Sequence, residues 1–208
     1  MTLSTKFIGA YGSCCLIYLL VSASLAPELS AVLKILPLVL LGLLTLGIAI
    51  NSVSTHLCLA LLFSMGGDVL LDLDYFVPGL LSFLVAQIIY STLFIRYFAA
   101  WNQRIVVSLL LIAFSLAMSI LLWNTAGEMR LPVLVYLVVI TTMGLTANAS
   151  TIQGVLAGAV IFMISDSLIA INRFVVPLPA SDWLIMISYY LAQFYLVSSV
   201  NQRIDISK

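Results

Sequence analysis

Long apolar runs follow one another along this chain, and short polar or Pro- and Gly-containing stretches separate them. A helix needs about 20 apolar residues to cross the hydrocarbon core of a bilayer. The runs predict eight such helices, at roughly 7–26, 32–50, 55–73, 77–98, 104–123, 131–147, 152–174 and 183–201. The stretches between them read APELS, NSVS, DLDYFVPG, AAWNQR, NTAGEMR, TANAST and VVPLPASD. We therefore expect an all-α, polytopic membrane protein whose residues 1–208 form one transmembrane domain.

The composition supports this class of protein. Hydrophobic residues make up 63% of the chain and charged residues only 8%, whereas soluble domains are typically about a quarter charged. The first run ends in the small residues VSASLA, as a secretory signal would. Its length of about 20 residues exceeds the roughly 7–15 apolar residues of a signal, so we interpret it as a membrane helix. The net charge is zero and there is no basic patch, so no nucleic-acid partner is predicted.

The positions of Lys and Arg in the short breaks predict the orientation in the membrane, because cytoplasmic loops carry an excess of these residues. One side of the membrane would hold Lys6, Arg96, Arg104, Arg203 and Lys208. The other side would hold Arg130 and Arg173 with five acidic residues: Glu28, Asp72, Asp74, Glu128 and Asp182. We therefore predict that both termini are cytoplasmic and, from the short loops, that the membrane is a bacterial plasma membrane. We expect Asp72 and Asp74 to be solvated loop carboxylates.

The two halves of the chain share a short internal repeat. Its features are an aspartate, a phenylalanine eight residues later and an Ala-Gln pair in the next helix: Asp68, Phe76 and Ala86-Gln87 in one half, and Asp166, Phe174 and Ala192-Gln193 in the other. Four helices separate the copies, so both would cross the membrane in the same direction. The halves, about 1–100 and 101–208, would then be parallel four-helix repeats. We expect both aspartates to face one central cleft.

Asp68 and Asp166 lie within predicted helices, in their outer halves, and Lys34 lies just inside the outer end of another. A charge at the centre of a bilayer costs about 2.5–3.5 kcal/mol on insertion scales, so such residues usually face a cavity or a partner. All three lie at similar depths in the predicted topology. Lys34 would form a structural ion pair with one aspartate, or the three would form a polar site with two carboxylates and a cation. The repeat favours the second interpretation, because one salt bridge does not need both aspartates.

Further polar residues are candidates for binding a substrate. Arg173 follows Asp166 by seven residues on the same helix face, where it would reach a phosphate or snorkel to the interface. Asn172 would orient a headgroup or cap the end of its helix. Further polar groups lie within the helices: Tyr90, Tyr136, Tyr189, Tyr190, Gln87 and Gln193. Tyrosines at the ends of spans would be interfacial residues, whereas those nearer the middle and the two glutamines need hydrogen-bond partners and would line the cleft.

Several enzyme classes lack their motifs in this chain. His56 is the only histidine, which excludes a multi-histidine zinc site. There is no G-x-S-x-G nucleophile elbow, no P-loop and no dinucleotide fingerprint. The cysteines match neither a disulfide framework nor a metal spacing, and we interpret them as apolar packing residues: Cys14, Cys15 and Cys58.

Longer motifs allow a family to be named. They are ALLFSMGGDVLLDLDYFVPGLLSF, GAVIFMISDSLIAINRF followed by YYLAQFYLVSS, and the stretch Lys34-Ile35-Leu36-Pro37. With their GD and SD-x-x-x-A signatures, these motifs resemble the YhhN family of membrane proteins, which includes the animal lysoplasmalogenases. The resemblance implies an eight-helix fold and identifies Asp68 and Asp166 as the family's two intramembrane aspartates. Gln87 stands where many members have histidine.

The resemblance also implies a reaction, the hydrolysis of the vinyl ether of lysoplasmalogens to a fatty aldehyde and glycerophosphoethanolamine or glycerophosphocholine. This chemistry needs one protonated carboxyl group and one carboxylate, a division of labour comparable to that of glycosidases. Asp68 and Asp166 would form the pair, with Lys34 holding one of them ionised. Lys34 and Arg173 would bind the phosphate, and apolar walls would accept the alkenyl chain from the bilayer. No metal or other cofactor is predicted.

Three alternatives remain open at the level of sequence. Parallel repeats and buried charges are also typical of transporters of small molecules or lipids. A non-catalytic lipid-binding or scaffold protein would tolerate changes at both aspartates. A hydrolase of another ether or ester lysolipid would have similar polar groups. The sequence does not predict the oligomeric state.

Overall fold

The computed structural model describes residues 4–100 and 104–206. In this part of the chain eight α-helices follow one another: α1 Thr5–Val21, α2 Pro27–Ile48, α3 Ser52–Asp72, α4 Phe76–Ile95, α5 Ile105–Thr125, α6 Arg130–Ala149, α7 Val155–Phe174 and α8 Ser181–Ile206. Short 3-10 turns at Ser22–Ser24 and Gly127–Met129 follow α1 and precede α6. Lys208, which contributed to the predicted orientation, and residues 101–103 of one predicted break lie outside the described residues.

The eight predicted helices are confirmed. All are long and apolar enough to cross a membrane, so the chain is an integral, multi-pass membrane protein. The predicted ends differ most, by five residues each, at the end of α1, the start of α2 and the end of α8. α2 begins at Pro27 rather than near residue 32, because proline suits the first helical position, where its missing N–H is not needed. α8 continues past residue 201 to Ile206, and Asn201 near this end donates from its side-chain amide to the Thr45 hydroxyl at 3.0 Å.

Local chemistry explains where α3 and α7 begin. The side-chain oxygen of Asn51 accepts hydrogen bonds from the backbone N–H groups of Val53 and Ser54, both at 2.9 Å. The Ser54 hydroxyl in turn accepts from the N–H of Asn51 at 2.8 Å. This capping box satisfies N–H groups that lack partners within the helix. Before α7, Gly154 has a φ of 92°, which glycine adopts without steric penalty.

The uncharged turn that was predicted near residues 148–151 is also present. α6 ends at Ala149 and α7 begins at Val155. Two backbone hydrogen bonds of 2.8 Å tie this turn to the segment after α4. The N–H of Ala99 donates to the carbonyl of Ala149, and the N–H of Thr151 donates to the carbonyl of Tyr97. Backbone hydrogen bonds therefore hold the turn between α6 and α7 in place, although this turn contains no charged residue.

The described residues belong to two compact units. The first lies within Met1–Tyr90 and Val197–Lys208 and contains α1, α2, α3 and most of α4. The second lies within Ser91–Leu196 and contains α5, α6, α7 and most of α8. The parallel repeat of two four-helix halves stays a prediction.

Candidate functional site

Two pairs of polar side chains meet where α2 packs against α3 in the first unit. Ser30 and Lys34 lie four residues apart on α2, and Asp68 and Asp72 lie four residues apart on α3, so each pair shares one helix face. The Nζ atom of Lys34 lies 2.6 Å from Oδ1 of Asp72 and 4.0 Å from Oδ1 of Asp68. The Ser30 hydroxyl donates to Oδ2 of Asp72 at 3.0 Å. The Lys34 ammonium therefore bonds directly to Asp72 and lies beyond hydrogen-bond distance of Asp68.

The position of Asp72 shows that its prediction as a solvated loop carboxylate is wrong. Asp72 is the last residue of α3, and only 15% of its side chain is exposed. The prediction relied on where the apolar run ends and overlooked the four-residue spacing from Asp68. Asp74 is exposed, as predicted, and its φ is 62°. Ser30 and Lys34 on α2 are also four residues apart. These two four-residue spacings are the feature of the sequence from which the cluster could be predicted.

Asp68 is almost completely withdrawn from the surface of the protein. The residue is 2% exposed and Lys34 is 8% exposed. Tyr11 and Tyr18 of α1 also interact electrostatically with Asp68. Buried charges cost several kcal/mol each unless ion pairs and hydrogen bonds compensate them. The predicted proximity of Lys34 to Asp68 is confirmed, but the direct ion pair of the cluster is between Lys34 and Asp72.

Glycines next to Asp68 allow α3 and α4 to approach each other closely. A Cβ atom on Gly67 would lie 2.5 Å from Cδ2 of Phe83, which is closer than any real contact. A Cβ atom on Gly79 would lie 3.3 Å from the carbonyl oxygen of Gly67. Membrane helices commonly use small residues where their backbones come close. This packing fixes the stretch of backbone from which Asp68 projects.

Tyr90, a candidate substrate ligand, is fully buried on α4. It lies near Tyr11, and Tyr11 in turn lies near Asp68. Tyr11 was not among the residues singled out from the sequence, because a tyrosine near the end of a span is usually an interfacial residue. The structure therefore relates Tyr90 to the cluster around Asp68 through a residue that pattern alone does not reveal.

In the second unit, Asp166 has a tyrosine partner. α6 brings Tyr136 against α7, and its hydroxyl donates a hydrogen bond to Oδ2 of Asp166. Tyr136 is buried and Asp166 is half-buried. A phenol that donates to a carboxyl group fixes its orientation and compensates part of its lost hydration. The sequence indicates that Tyr136 needs a hydrogen-bond partner. It does not identify Asp166 as that partner, because the two residues are 30 positions apart.

Three further candidates in the second unit lie on α8. Tyr189, Tyr190 and Gln193 are all buried. The ring of Tyr189 packs edge-on against Phe162, with 5.8 Å between centroids, and lies 5.7 Å from the ring of Tyr190. Phe162 precedes Asp166 by one turn of α7. The two tyrosines thus form an aromatic wall within about one helical turn of Asp166 along α7.

The end of α7 carries the last two candidates. Arg173 is exposed in the final turn, where a cation also interacts favourably with the helix dipole. The side-chain oxygen of Asn172 accepts a hydrogen bond from the N–H of Leu178 at 2.8 Å. Asn172 therefore fastens the segment that follows α7, and its expected role in orienting a headgroup stays a prediction.

The structure thus brings Lys34 together with Asp68 and adds Ser30 and Asp72 to them. The remaining candidates are distributed over the two units, and the meeting of both aspartates in one cleft stays a prediction. Sequence reasoning missed the partners Ser30, Asp72 and Tyr11, because contacts between helices depend on how the helices pack.

Comparison with known proteins places these residues in a family context. The sequence profile of the YhhN family matches residues 29–200. Lysoplasmalogenase TMEM86A of Bos taurus is 31% identical over 218 aligned residues, which cover 95% of this chain and 90% of that protein. Lysoplasmalogenase TMEM86A of Homo sapiens has the same identity and coverage. Lysoplasmalogenase TMEM86B of Homo sapiens is 31% identical over 127 residues, 60% of this chain and 53% of that protein. No solved structure matches the chain.

The matched region includes the main candidates Lys34, Asp68 and Asp166. The resemblance first indicated by the GD and SD-x-x-x-A motifs is therefore confirmed over most of the sequence. The two TMEM86A relatives align with 95% of this chain over 90% of their own length. This chain belongs to the YhhN family.

Proposed function

We propose that this protein is a membrane hydrolase that cleaves the vinyl ether bond of lysoplasmalogens. The observation that carries the proposal is the alignment of 95% of the chain with relatives named lysoplasmalogenase. The products would be a fatty aldehyde and glycerophosphoethanolamine or glycerophosphocholine. Such a lysophospholipid partitions into the bilayer, where an integral membrane protein would meet it.

The proposed reaction begins when a carboxyl group transfers its proton to the β-carbon of the vinyl ether. The electron pair of the C=C bond forms the new C–H bond, and the ether oxygen shares the positive charge of the resulting oxocarbenium ion. Water then adds to the α-carbon and gives a proton to a carboxylate, which leaves a hemiacetal. In the collapse of the hemiacetal, the C–O bond to glycerol breaks, and the glycerol oxygen takes up the proton that the carboxylate received from water. The hemiacetal O–H gives its proton to the carboxyl group that protonated the β-carbon, and the aldehyde and the alcohol are released. One water molecule is consumed, and both carboxyl groups return to their initial states.

Asp68 and Asp166 are the proposed carboxyl groups. Both lie in helices long and apolar enough to span a membrane, where ionisable side chains are functional candidates by default. Their surroundings differ, because Lys34 lies near Asp68 and the Tyr136 hydroxyl donates to Asp166. Enzymes use such differences to keep one carboxyl group protonated and another ionised.

Arg173 is the better-supported candidate for the substrate phosphate. Its guanidinium is exposed, and its planar geometry suits phosphate oxygens. Lys34 is less suited to this role because it is buried and bonds to Asp72 at 2.6 Å. Five further residues remain proposed substrate contacts: Asn172, Tyr90, Tyr189, Tyr190 and Gln193.

A comparison of three lysophospholipids tests the proposed substrate class. The purified protein in detergent would receive lipids that differ only in the bond to the chain: a vinyl ether, a saturated alkyl ether and an acyl ester. We expect aldehyde from the vinyl ether alone, because the alkyl ether has no double bond to protonate. Release of fatty acid from the ester with the vinyl ether left intact would contradict the proposal and favour a hydrolase of another lipid.

Two further measurements separate this chemistry from its rivals. In D₂O, protonation of the β-carbon by a carboxyl group in exchange with solvent places one deuterium beside the aldehyde carbonyl, which mass spectrometry detects. In proteoliposomes, the proposal predicts aldehyde release. Uptake of intact lysoplasmalogen without any aldehyde would instead identify a transporter.

A further inference from the structure

Ser165 and Ser167 lie on either side of Asp166 in α7, but their hydroxyl groups bond to different helices. The hydroxyl of Ser165 donates to the backbone carbonyl of Ile185 on α8 at 3.0 Å. The hydroxyl of Ser167 donates at 2.7 Å to the carbonyl of Met163, four residues earlier on α7 itself. Ser165 is fully buried, whereas Ser167 is half-buried. Ser165 therefore connects the helix that carries Asp166 to a neighbouring helix, and Ser167 bonds within its own helix.

The bond from Ser165 belongs to a pair of contacts that fixes how α7 lies along α8. Phe162, three residues before Ser165, packs against the ring of Tyr189, four residues after Ile185. Residues three or four apart share one face of a helix, so both contacts lie on the same two faces. The ring contact tolerates sliding of one helix along the other. The hydrogen bond does not, because it requires a narrow range of distances and angles.

Asp166 is held from the opposite direction by α6. The Tyr136 hydroxyl donates to its Oδ2 atom. Ser165 and Asp166 are consecutive residues, and consecutive side chains project about 100° apart around a helix. The contact of Ser165 with α8 and the contact of Asp166 with α6 therefore depend on the same rotation of α7. If α7 turned or slid against α8, the carboxyl group would move relative to the Tyr136 hydroxyl.

We infer that Ser165 is a positioning residue for Asp166. Its hydrogen bond to Ile185 fixes α7 against α8 and thereby holds the Asp166 carboxyl group where it acts on the substrate. The inference rests on the proposed function, in which Asp166 is one of the two reacting carboxyl groups. Tyr189 and Tyr190, which are proposed substrate contacts, lie on the helix to which Ser165 bonds. The bond therefore sets the distance between a reacting group on α7 and substrate contacts on α8.

The residue before Asp68 has a comparable place in the first unit. Gly67 is the point at which α3 comes closest to Phe83 of α4, since a Cβ atom there would overlap the ring. In each unit the residue before the aspartate is thus where its helix meets the next helix along the chain. Glycine achieves this in the GD motif by close packing. Serine achieves it in the SD motif by a hydrogen bond to Ile185.

Ser165→Ala tests the inference by removing this hydrogen bond. The Ile185 carbonyl would keep the hydroxyl of Ser188, which donates to it at 2.9 Å. Hydrogen bonds between membrane helices contribute little to stability on average, so we expect the variant to fold and to melt within about 4 °C of the unsubstituted protein. A displacement of about 1 Å can cost 10²-fold in rate, so kcat for aldehyde release should fall by about 10- to 100-fold while KM changes little.

Ser167→Ala is the matched control, because it removes a hydroxyl on the other side of Asp166 whose bond lies within α7. We expect its kcat to equal that of the unsubstituted protein. An unchanged kcat in Ser165→Ala would overturn the inference. An equal loss of kcat in both serine variants would also overturn it, because the bond between the helices would then not be the cause.

A double-mutant cycle separates positioning of Asp166 from a general effect on the fold. Asp166→Asn removes the carboxyl group that Ser165 holds in place. Ser165→Ala should therefore cause little further loss of kcat in an Asp166→Asn background, since residues that act as one unit are not additive. A merely structural role predicts the same fold loss in both backgrounds, and this result would contradict the inference.

Spin labels test the connection between the helices without any activity. Ile164 of α7 and Ile187 of α8 have exposed side chains and would carry the labels as cysteines, with the native cysteines replaced by alanine. Electron paramagnetic resonance in lipid then reports the distances between the two labels. We expect a broader or shifted distribution of distances in Ser165→Ala and an unchanged one in Ser167→Ala. A distribution unchanged by Ser165→Ala would overturn the inference.

These measurements distinguish failure of the inference from failure of the proposed function. If the unsubstituted protein releases no aldehyde from lysoplasmalogen, the proposed function fails, and the label distances still decide whether Ser165 fixes α7 against α8. If it releases aldehyde and Ser165→Ala does so equally well, only the inference fails.

Discussion

Asp72 and Asp74 are two residues apart, but only Asp72 belongs to the polar cluster. Asp72 lies one helical turn after Asp68, so both side chains share the face of α3 that packs against Lys34. Asp74 lies beyond the helix with a left-handed backbone, which aspartate tolerates better than most residues. At the scale of single residues, the role of a carboxylate in this protein depends on its helix face rather than on its distance from the apolar run.

The hydrogen bond from Tyr136 to Asp166 leads to a prediction at the same scale. Tyr136→Phe removes the donor while it keeps the ring, so the orientation of Asp166 is less defined. Hydrogen bonds to charged groups contribute about 1.5–3 kcal/mol, and we therefore expect kcat to fall by about 10- to 100-fold. The measurement is aldehyde release from lysoplasmalogen by purified protein.

A matched control for this substitution is Tyr75→Phe. Tyr75 is 58% exposed and lies outside the candidate site, so its loss of a hydroxyl should leave kcat unchanged. Equal activity of Tyr136→Phe and the unsubstituted protein would mean that the hydrogen bond to Asp166 does not support catalysis.

The sequence identifies the charged residues of the candidate site but not their partners. Lys34, Asp68 and Asp166 stand out because charges are rare within apolar runs. Tyr136 stands out as a polar group within a predicted helix and Ser30 lies four residues from Lys34, but in neither case does the sequence identify the partner. Their contacts arise from packing between α6 and α7 and between α2 and α3. Such contacts follow from the tertiary structure, which one sequence does not specify by pattern.

At the scale of elements, close packing of helices supports the position of each aspartate separately. Gly67 allows α3 to approach Phe83 of α4. In the second unit, a Cβ atom on Gly158 of α7 would lie 2.9 Å from the backbone nitrogen of Leu196 on α8. Neither position has room for a methyl group. Both glycines thus permit contacts that fix the helix carrying Asp68 or Asp166.

The tight contact at Gly67 predicts a loss of stability on substitution. Gly67→Ala places a methyl group against the ring of Phe83, and overpacking of this kind typically costs about 1–3 kcal/mol. We expect a lower melting temperature in detergent, together with reduced activity because Asp68 is the next residue. The measurement is thermal unfolding of the purified variant.

Gly12→Ala is the matched control, because no atom lies within 4 Å of a Cβ atom at Gly12. Alanine is favoured over glycine inside a helix by about 1 kcal/mol, so this variant should melt at the same or a higher temperature. Equal melting temperatures for Gly67→Ala and the unsubstituted protein would refute the packing role of Gly67.

Apolar runs and turn residues are sufficient to predict the number and order of the helices. They predict the ends of the helices less accurately. The eight runs correspond to eight helices because each must satisfy its backbone hydrogen bonds internally within the membrane. α2 starts earlier than predicted because Pro27, which falls in the predicted break, occupies the first helical position. How the helices pair does not follow from this pattern, since apolar faces toward lipid and toward protein look alike.

At the scale of the whole molecule, the eight candidate spans of the described residues predict that both ends of the chain lie on the same side of the membrane. The excess of Lys and Arg near those ends predicts that this side is cytoplasmic. A fusion of green fluorescent protein to the C-terminus tests this orientation, because the fusion partner should fold and fluoresce only in the cytoplasm of bacterial cells. A dark fusion of a correctly inserted protein, with activity from an alkaline phosphatase fusion at the same position, would reverse the predicted orientation.

The central claim is that Asp68 and Asp166 together carry out vinyl ether hydrolysis. The most direct measurement is aldehyde release from lysoplasmalogen by Asp68→Asn and by Asp166→Asn, each purified in folded form and compared with Asp74→Asn. A proton-transfer group contributes about 10²–10⁴-fold, so we predict a loss of kcat of at least about 100-fold in both variants and none in Asp74→Asn. Full activity in either Asp68→Asn or Asp166→Asn would contradict the two-carboxylate account.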